Sequence, residues 1–166
     1  MYRKTKKLVL GAMLAALVFI ATYVVQIPSP MNGYVNLGDC FVLICGWLLG
    51  PWYGALAAGI GSAMTDLLAG YAYYVPGTLV IKAVVALVAG IVYRNMRKSF
   101  AGLVLGAVLG ESFMVLGYLG YAWLLLGNGI AAISTIPGNM LQAAFGIVAA
   151  LLLMKVVAKM KLDDLF

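Results

Sequence analysis

The sequence contains no histidine and only five acidic residues in 166. Without histidine the chain lacks the commonest general base and the commonest transition-metal ligand. A Ser–His or Cys–His nucleophile pair is likewise excluded. No G-x-x-x-x-G-K-[ST] loop is present, so the chain has no P-loop with which to hydrolyse ATP. Cysteine is nearly absent as well. Cys40 and Cys45 fit neither a CxxC nor a zinc spacing, and both read as small apolar helix residues. Charge itself is scarce: 10% of residues, against about 25% in a soluble domain. No metal site and no cofactor of the chain's own is expected, and the chain does not read as an enzyme.

What fills the sequence is apolar: 65% of residues are hydrophobic. A globule of that composition would hold much apolar surface against water, so its natural solvent is lipid. Leu8 to Val25 is too long for the apolar region of a signal peptide and has no small-x-small cleavage site after it, so it reads as a first spanning helix. Breaks follow at Gln26–Gly33 with its two prolines, at Gly50-Pro51, at the tyrosine-rich stretch from Gly70 to Pro76, at Arg94–Ser99 and at Gly127-Asn128-Gly129. They leave six apolar segments, approximately 8–25, 36–50, 52–69, 76–93, 101–126 and 135–158. The expected fold is an all-α membrane protein, a six-transmembrane-helix bundle in a single domain. The second segment is short, since a span needs about 20 residues.

Basic residues orient it. Arg3, Lys4, Lys6 and Lys7 precede the first helix. Arg94, Arg97 and Lys98 lie between the fourth and fifth, and Lys155, Lys159 and Lys161 end the sixth. With six spans all three clusters share one side, and the loops 26–35, 70–75 and 127–134 on the other side carry no charge. The positive-inside rule then makes both termini cytoplasmic. Juxtamembrane placement suits lipid headgroups and gives nucleic acid no footprint.

Small residues at four-residue spacing let helices approach closely in lipid. Gly102, Gly106 and Gly110 form such a face on the fifth helix, and Gly50 with Gly54 and Ala55 with Gly59 form others near the third. On the first helix, Ala12 and Ala16 suit either internal packing or docking to a partner subunit.

Four ionisable residues fall inside predicted spans: Asp39, Asp66, Lys82 and Glu111. A charge at the bilayer centre costs about 2.5–3.5 kcal/mol on insertion scales, so such residues are usually paired, cavity-facing and functional. At about 1.5 Å per residue, Asp39 and Asp66 lie roughly 5 Å below the outer surface, Lys82 about 9 Å, and Glu111 near the midplane. Asn36, Asn139 and Gln142 occupy the same outer half, while the inner halves hold almost nothing polar. A channel would be polar along its full length; this pattern predicts a chamber open on one side. Tyr71, Tyr73, Tyr74, Tyr34, Tyr118 and Tyr121 gather at that level, as an interfacial belt or as an aromatic lid. Lys82 is free to pair with Asp39 or Asp66, or to face a ligand.

Three strings are more specific: Asn36-Leu37-Gly38-Asp39, Leu48-Leu49-Gly50-Pro51-Trp52-Tyr53-Gly54, and Gly59-Ile60-Gly61-Ser62-Ala63-Met64-Thr65-Asp66 continuing to Gly70-Tyr71 and Pro76-Gly77-Thr78 before Lys82. Together they resemble the substrate-binding S component of an energy-coupling factor (ECF) vitamin transporter, nearest the pyridoxine or hydroxymethylpyrimidine branch. The resemblance covers residues 8–95 by motif and the last two helices by layout. It implies a six-helix subunit in a prokaryotic plasma membrane that binds a vitamin under outer loops. It also implies a transmembrane coupling protein and two cytoplasmic ATPases as partners, with ATP used only by the latter. The family's A-x-x-x-A docking motif matches Ala12 and Ala16, and the family picture has the subunit topple to carry its ligand inward.

On this reading Asn36, Asp39, Asp66, Tyr71, Tyr74, Lys82, Glu111, Tyr118, Asn139 and Gln142 are the candidate substrate-binding residues. Vitamin B6 is the first expected ligand, with hydroxymethylpyrimidine, riboflavin or another vitamin as alternatives. Two other classes stay open: a stand-alone proton-coupled transporter using Asp66 and Glu111, and an assembly subunit whose buried charges only pair with each other.

Overall fold

The computed structural model describes residues 2–29 and 33–159. Pro30, Met31 and Asn32 of the first loop, and Lys161 of the last basic cluster, lie outside the described residues. Six α-helices account for most of the described chain: α1 Tyr2–Val24, α2 Gly38–Leu49, α3 Pro51–Leu68, α4 Val75–Asn95, α5 Phe100–Gly120 and α6 Ile136–Lys159. Among the described residues, four helical stretches are long and apolar enough to cross a membrane: Lys4–Val24, Val75–Asn95, Phe100–Leu125 and Gly129–Lys159. The 18 residues of α3 extend about 27 Å, and the 12 of α2 only about 18 Å.

Several expected boundaries move. The first loop is a β-hairpin, β1 Gln26–Ser29 against β2 Gly33–Asn36, with Gln26 opposite Asn36 and Pro28 opposite Tyr34. A two-stranded ribbon leaves each strand a free edge, where a proline without an N–H is tolerated. Consequently α2 begins at Gly38 and not at residue 36. Asn36 closes the hairpin, and its Oδ1 accepts a hydrogen bond from the Gly38 N–H at 2.8 Å. Regular α-helix in α5 stops at Gly120, and the chain continues through a π-helical turn, Tyr121–Leu125. A 3₁₀ stretch, Gly129–Thr135, occupies the expected loop before α6.

The shortest helix is the central one. Ten of the twelve α2 residues are buried, among them Val42, Leu43, Cys40 and Cys45, the last two with free thiols. Around α2 stand α1, α3, α4 and α6, and α5 packs on α4 and α6. The turn from α2 to α3 passes through Gly50 at φ +82°, where an L side chain is strained, and Pro51 then starts α3 with its φ already set for a helix. The small face of α5 is an α4 contact. A Cβ added at Gly106 would lie 2.9 Å from the Ala89 carbonyl, and one at Gly110 would lie 3.0 Å from that of Val85. Large apolar side chains such as Trp52, Leu124 and Ile130 are left on the outside.

The two ends of the bundle differ. At one, Lys7 faces the Tyr53 ring (5.8 Å), Arg94 closes α4, and Lys155 faces Phe100 at the start of α5 (5.9 Å). At the other stand the hairpin and the tyrosines of residues 71–74, joined where the Tyr34 and Tyr71 rings approach to 4.9 Å.

Candidate functional site

Beneath the hairpin, a cavity with about 580 Å³ of empty space opens between the helices. About 50 Å³ of it admits the centre of a water molecule. Five of the helices, β2 and the 3₁₀ stretch contribute to its wall. Thr22 comes from α1, Tyr34 and Asn36 from β2, and Ser62 and Asp66 from α3. Tyr74 comes from just before α4, Thr78 and Lys82 from its first two turns, Tyr118 from α5, Thr135 from the 3₁₀ stretch, and Asn139 and Gln142 from α6. Every residue of the wall carries a polar group, although the cavity sits in an apolar bundle.

A hydrogen-bonded chain ties the hairpin to the helices. The backbone N–H of Asn36 donates to Gln142 Oε1 at 2.8 Å, and the Asn36 amide donates to the same oxygen at 3.3 Å. Gln142 Nε2 donates to Asp39 Oδ2 at 2.6 Å, and the other Asp39 oxygen takes Lys82 Nζ in an ion pair. Close approach of α2 and α6 at this level depends on Gly146, where a Cβ would stand 2.8 Å from the Asp39 side chain. Three helices and the hairpin are thus held in register by one buried polar row. Such a pair adds little net stability over apolar residues, but its geometry admits few alternatives.

Asp66 is held separately. Its Oδ1 accepts from the Tyr34 hydroxyl at 2.6 Å. Burial, and then the neighbouring Asp66 carboxylate, push the Tyr34 phenol far above its ordinary range, so it stays a donor. Asp66 Oδ2 lies beside Thr78 with no hydrogen bond of ordinary geometry, and Thr78 instead shares its hydroxyl with Tyr118 at 3.0 Å. Ser62 Oγ, one helical turn earlier on α3, is 2% exposed and also unpartnered. Above them the tyrosines form a continuous run. Tyr71, Tyr73 and Tyr74 touch in sequence, and Tyr74 reaches Tyr118 and Tyr121, with ring centroids between 5.0 and 6.3 Å. Tyr121 is anchored by its hydroxyl, which donates to the Tyr73 carbonyl at 2.7 Å.

Seven of the ten candidate residues therefore line one cavity: Asn36, Asp66, Tyr74, Lys82, Tyr118, Asn139 and Gln142. Asp39 lies just behind the wall as the partner of Lys82 and Gln142. Tyr71 packs on the outer side of Tyr34. Glu111 is 1% exposed, lies off the wall near Asp39 and Lys82, and has no hydrogen bond on either oxygen. The sequence reading missed Thr22, Ser62, Thr78 and Thr135, and it noted Tyr34 only as one of the loop tyrosines. Ala12 and Ala16 line a separate apolar groove between α1 and α3, with Gly11, Ala15, Ala57 and Gly61.

A chain with this architecture matches the family model for the S component of the ECF-type riboflavin transporter over residues 3–159. The chain belongs to the ECF transporter S components. It is therefore a transporter component and not an enzyme. An uncharacterized Pyrococcus woesei protein, from the region 3′ of gap, is 36% identical over 132 residues, covering 79% of this S component and 87% of the relative. The solved S component of a bacterial ECF transporter superposes with a TM-score of 0.74, covering 95% of this S component and 99% of that chain at 22% identity. At that identity the likeness concerns the fold.

Proposed function

We propose that this S component is the high-affinity substrate-binding subunit of an ATP-driven ECF importer for a small water-soluble vitamin, with vitamin B6 (pyridoxine, pyridoxamine or pyridoxal) as the first candidate. The observation that carries the reading is the cavity itself. A chain with so few polar side chains gathers them around one cavity at one end of an apolar bundle, where they can replace the water around a polar ligand. Asn36, Asn139 and Gln142 orient the ligand, Asp66 and Lys82 supply charged contacts with Asp39 and Glu111 behind them, and Tyr74 and Tyr118 pack against its ring, with Tyr71 in the lid above. In the membrane the chain crosses six times, α2 reaching only part-way and the hairpin completing that crossing, both termini face the cytoplasm, and the cavity faces outward, because the basic residues collect at the opposite end. The groove at Ala12 and Ala16 receives a helix of the transmembrane coupling protein, which two cytoplasmic ATPases energise. The cell is a prokaryote and the membrane its plasma membrane.

Riboflavin is the second candidate, since the matching family model bears that name. Calorimetry on the purified chain with vitamin B6 forms, hydroxymethylpyrimidine and riboflavin tests the reading. It expects tight one-to-one binding of one of them, and a well-folded sample that binds no B-vitamin or precursor would overturn it. Liposomes holding the chain alone should take up nothing when a proton gradient is applied. Uptake there would instead identify a self-sufficient transporter.

A further inference from the structure

The acidic and basic side chains buried in this bundle are unequal in number. Among the described residues the buried ionisable groups are Asp39, Asp66, Glu111 and Lys82, three carboxyls against one ammonium. That ammonium is committed to Asp39. Asp66 meets the cavity with one oxygen satisfied by a neutral phenol and the other without a donor of ordinary geometry. Ser62 adds a second unpartnered oxygen on the same face of α3, since residues four apart lie one above the other. A buried acceptor without a donor is costly, and one beside an empty space implies that the donor arrives with the ligand.

The rings around Asp66 point the same way. Tyr34, Tyr74 and Tyr118 line the cavity, and Tyr118 already presents its ring to a cation, Lys82 Nζ, at 5.4 Å from the centroid. The face of a tyrosine ring attracts positive charge through its quadrupole, most strongly where water is excluded. A carboxylate within a set of tyrosines has the chemistry of a cation receptor. For an anion the site offers only a lysine whose charge Asp39 has already met.

Resting on the reading that this cavity holds the transported molecule, we propose that its ligand carries a net positive charge, with an ammonium group seated against Asp66 and Ser62 between Tyr34, Tyr74 and Tyr118. The cationic group donates to Asp66 Oδ2 and Ser62 Oγ, and the rest of the ligand reaches toward Asn139 and Gln142. The substrate class is thereby a small cationic amine or N-heterocycle, and phosphorylated or carboxylated forms of the same molecule are rejected.

The test is calorimetric binding to the full chain in lipid nanodiscs at pH 7. One set of probes differs in a single substituent: pyridoxamine with an aminomethyl group, pyridoxine with hydroxymethyl, and 4-pyridoxate with carboxylate. Thiamine, a permanent cation, and riboflavin, uncharged, form a second comparison. The tightest ligand should be a cation, at least tenfold tighter than its neutral counterpart. Asp66→Asn should weaken the cation about ten- to hundredfold, the range of a hydrogen bond to a charged group, and the neutral probe less than about threefold. If Asp66→Asn fails to fold, the ranking on the unaltered protein decides alone. A neutral or anionic probe binding tightest would overturn the proposal and leave the transport reading standing. Failure of all five probes to bind would overturn both.

Discussion

Removing one member of the Asp39–Lys82 pair should cost far more than removing both. Lys82 is 3% exposed and Asp39 fully buried, so neither replaces its partner with water. Asp39→Leu leaves an ammonium deep in the bundle and deprives the Gln142 amide of its acceptor. Stranding a buried charge costs about 3–5 kcal/mol. For a chain of this length, each 1 kcal/mol moves the melting temperature by about 2–4 °C, so the single variant should melt roughly 6–20 °C lower. Lys82→Met should fall by a similar amount, because it leaves the carboxylate uncompensated. The double variant Asp39→Leu with Lys82→Met strands no charge. Its remaining deficit is the orphaned Gln142 amide, about 1–3 kcal/mol. The two losses are therefore expected to be strongly non-additive, with the double variant more stable than either single one. Thermal unfolding of the four proteins in one detergent, followed by circular dichroism, reads this directly. If the double variant loses the sum of the single losses, the pair is not the closed unit described here. If Asp39→Leu alone costs nothing, the nearby Glu111 carboxyl has taken over Lys82, and adding Glu111→Gln should then expose the missing loss.

Three further outcomes follow from other contacts. Gly106→Val should destabilise the chain by about 1–3 kcal/mol in the same unfolding assay, since even a Cβ there would stand 2.9 Å from the Ala89 carbonyl. Ala12→Leu with Ala16→Leu should fill the α1–α3 groove and abolish co-purification with a coupling protein, while vitamin binding by the isolated chain stays within about twofold. Tyr34 gives a pH signature. Its phenol is held protonated in the fold, so the folded chain binds more protons than the unfolded one once the pH passes the ordinary tyrosine value, about 10. Its contribution to stability should be full below that value and fall as the pH rises beyond it. Tyr34→Phe should flatten that part of the pH–stability curve, and an unchanged alkaline slope would refute the assignment.

How far the site was legible depended on what each side chain costs in lipid. Asp39, Asp66, Lys82, Asn139 and Gln142 were visible because such groups are expensive in an apolar helix, and counting residues from the helix ends then placed them at one level. Thr22 was invisible because its hydroxyl donates to the Val18 carbonyl of its own helix at 2.7 Å. Thr135 does the same with Ala132 at 2.8 Å. A hydroxyl satisfied within its own turn carries almost no penalty, so its presence in a span says nothing about a cavity. Ser62 passed for one more small residue in Gly59-Ile60-Gly61-Ser62-Ala63, and only the structure shows its oxygen without a partner. Which acid pairs with Lys82 was equally beyond reach. Both candidates lay at similar depth, and the choice of Asp39 is made by the packing of α2 against α4. Glu111 marks the opposite limit: its depth was readable, but its place behind the wall was not.

The short helix explains why the cavity exists at all. At about 18 Å, α2 falls roughly 12 Å short of the hydrocarbon thickness, so its first residues, Gly38 and Asp39, begin inside the bundle and not at its surface. Irregular backbone cannot stand at that depth against lipid. The chain between α1 and α2 meets the constraint with a hairpin whose strands satisfy each other and whose last residue is tied to α6 through Gln142. Had α2 continued upward by two more turns, helix would fill the space the hairpin now covers, and Asn36, Asp39 and Tyr34 would have no hollow to surround. The same hairpin carries Tyr34, whose hydroxyl donates to Asp66. The roof over the cavity and the donor on its acid therefore come from one ribbon, so a single element sets both the shape of the hollow and the group that meets its carboxyl.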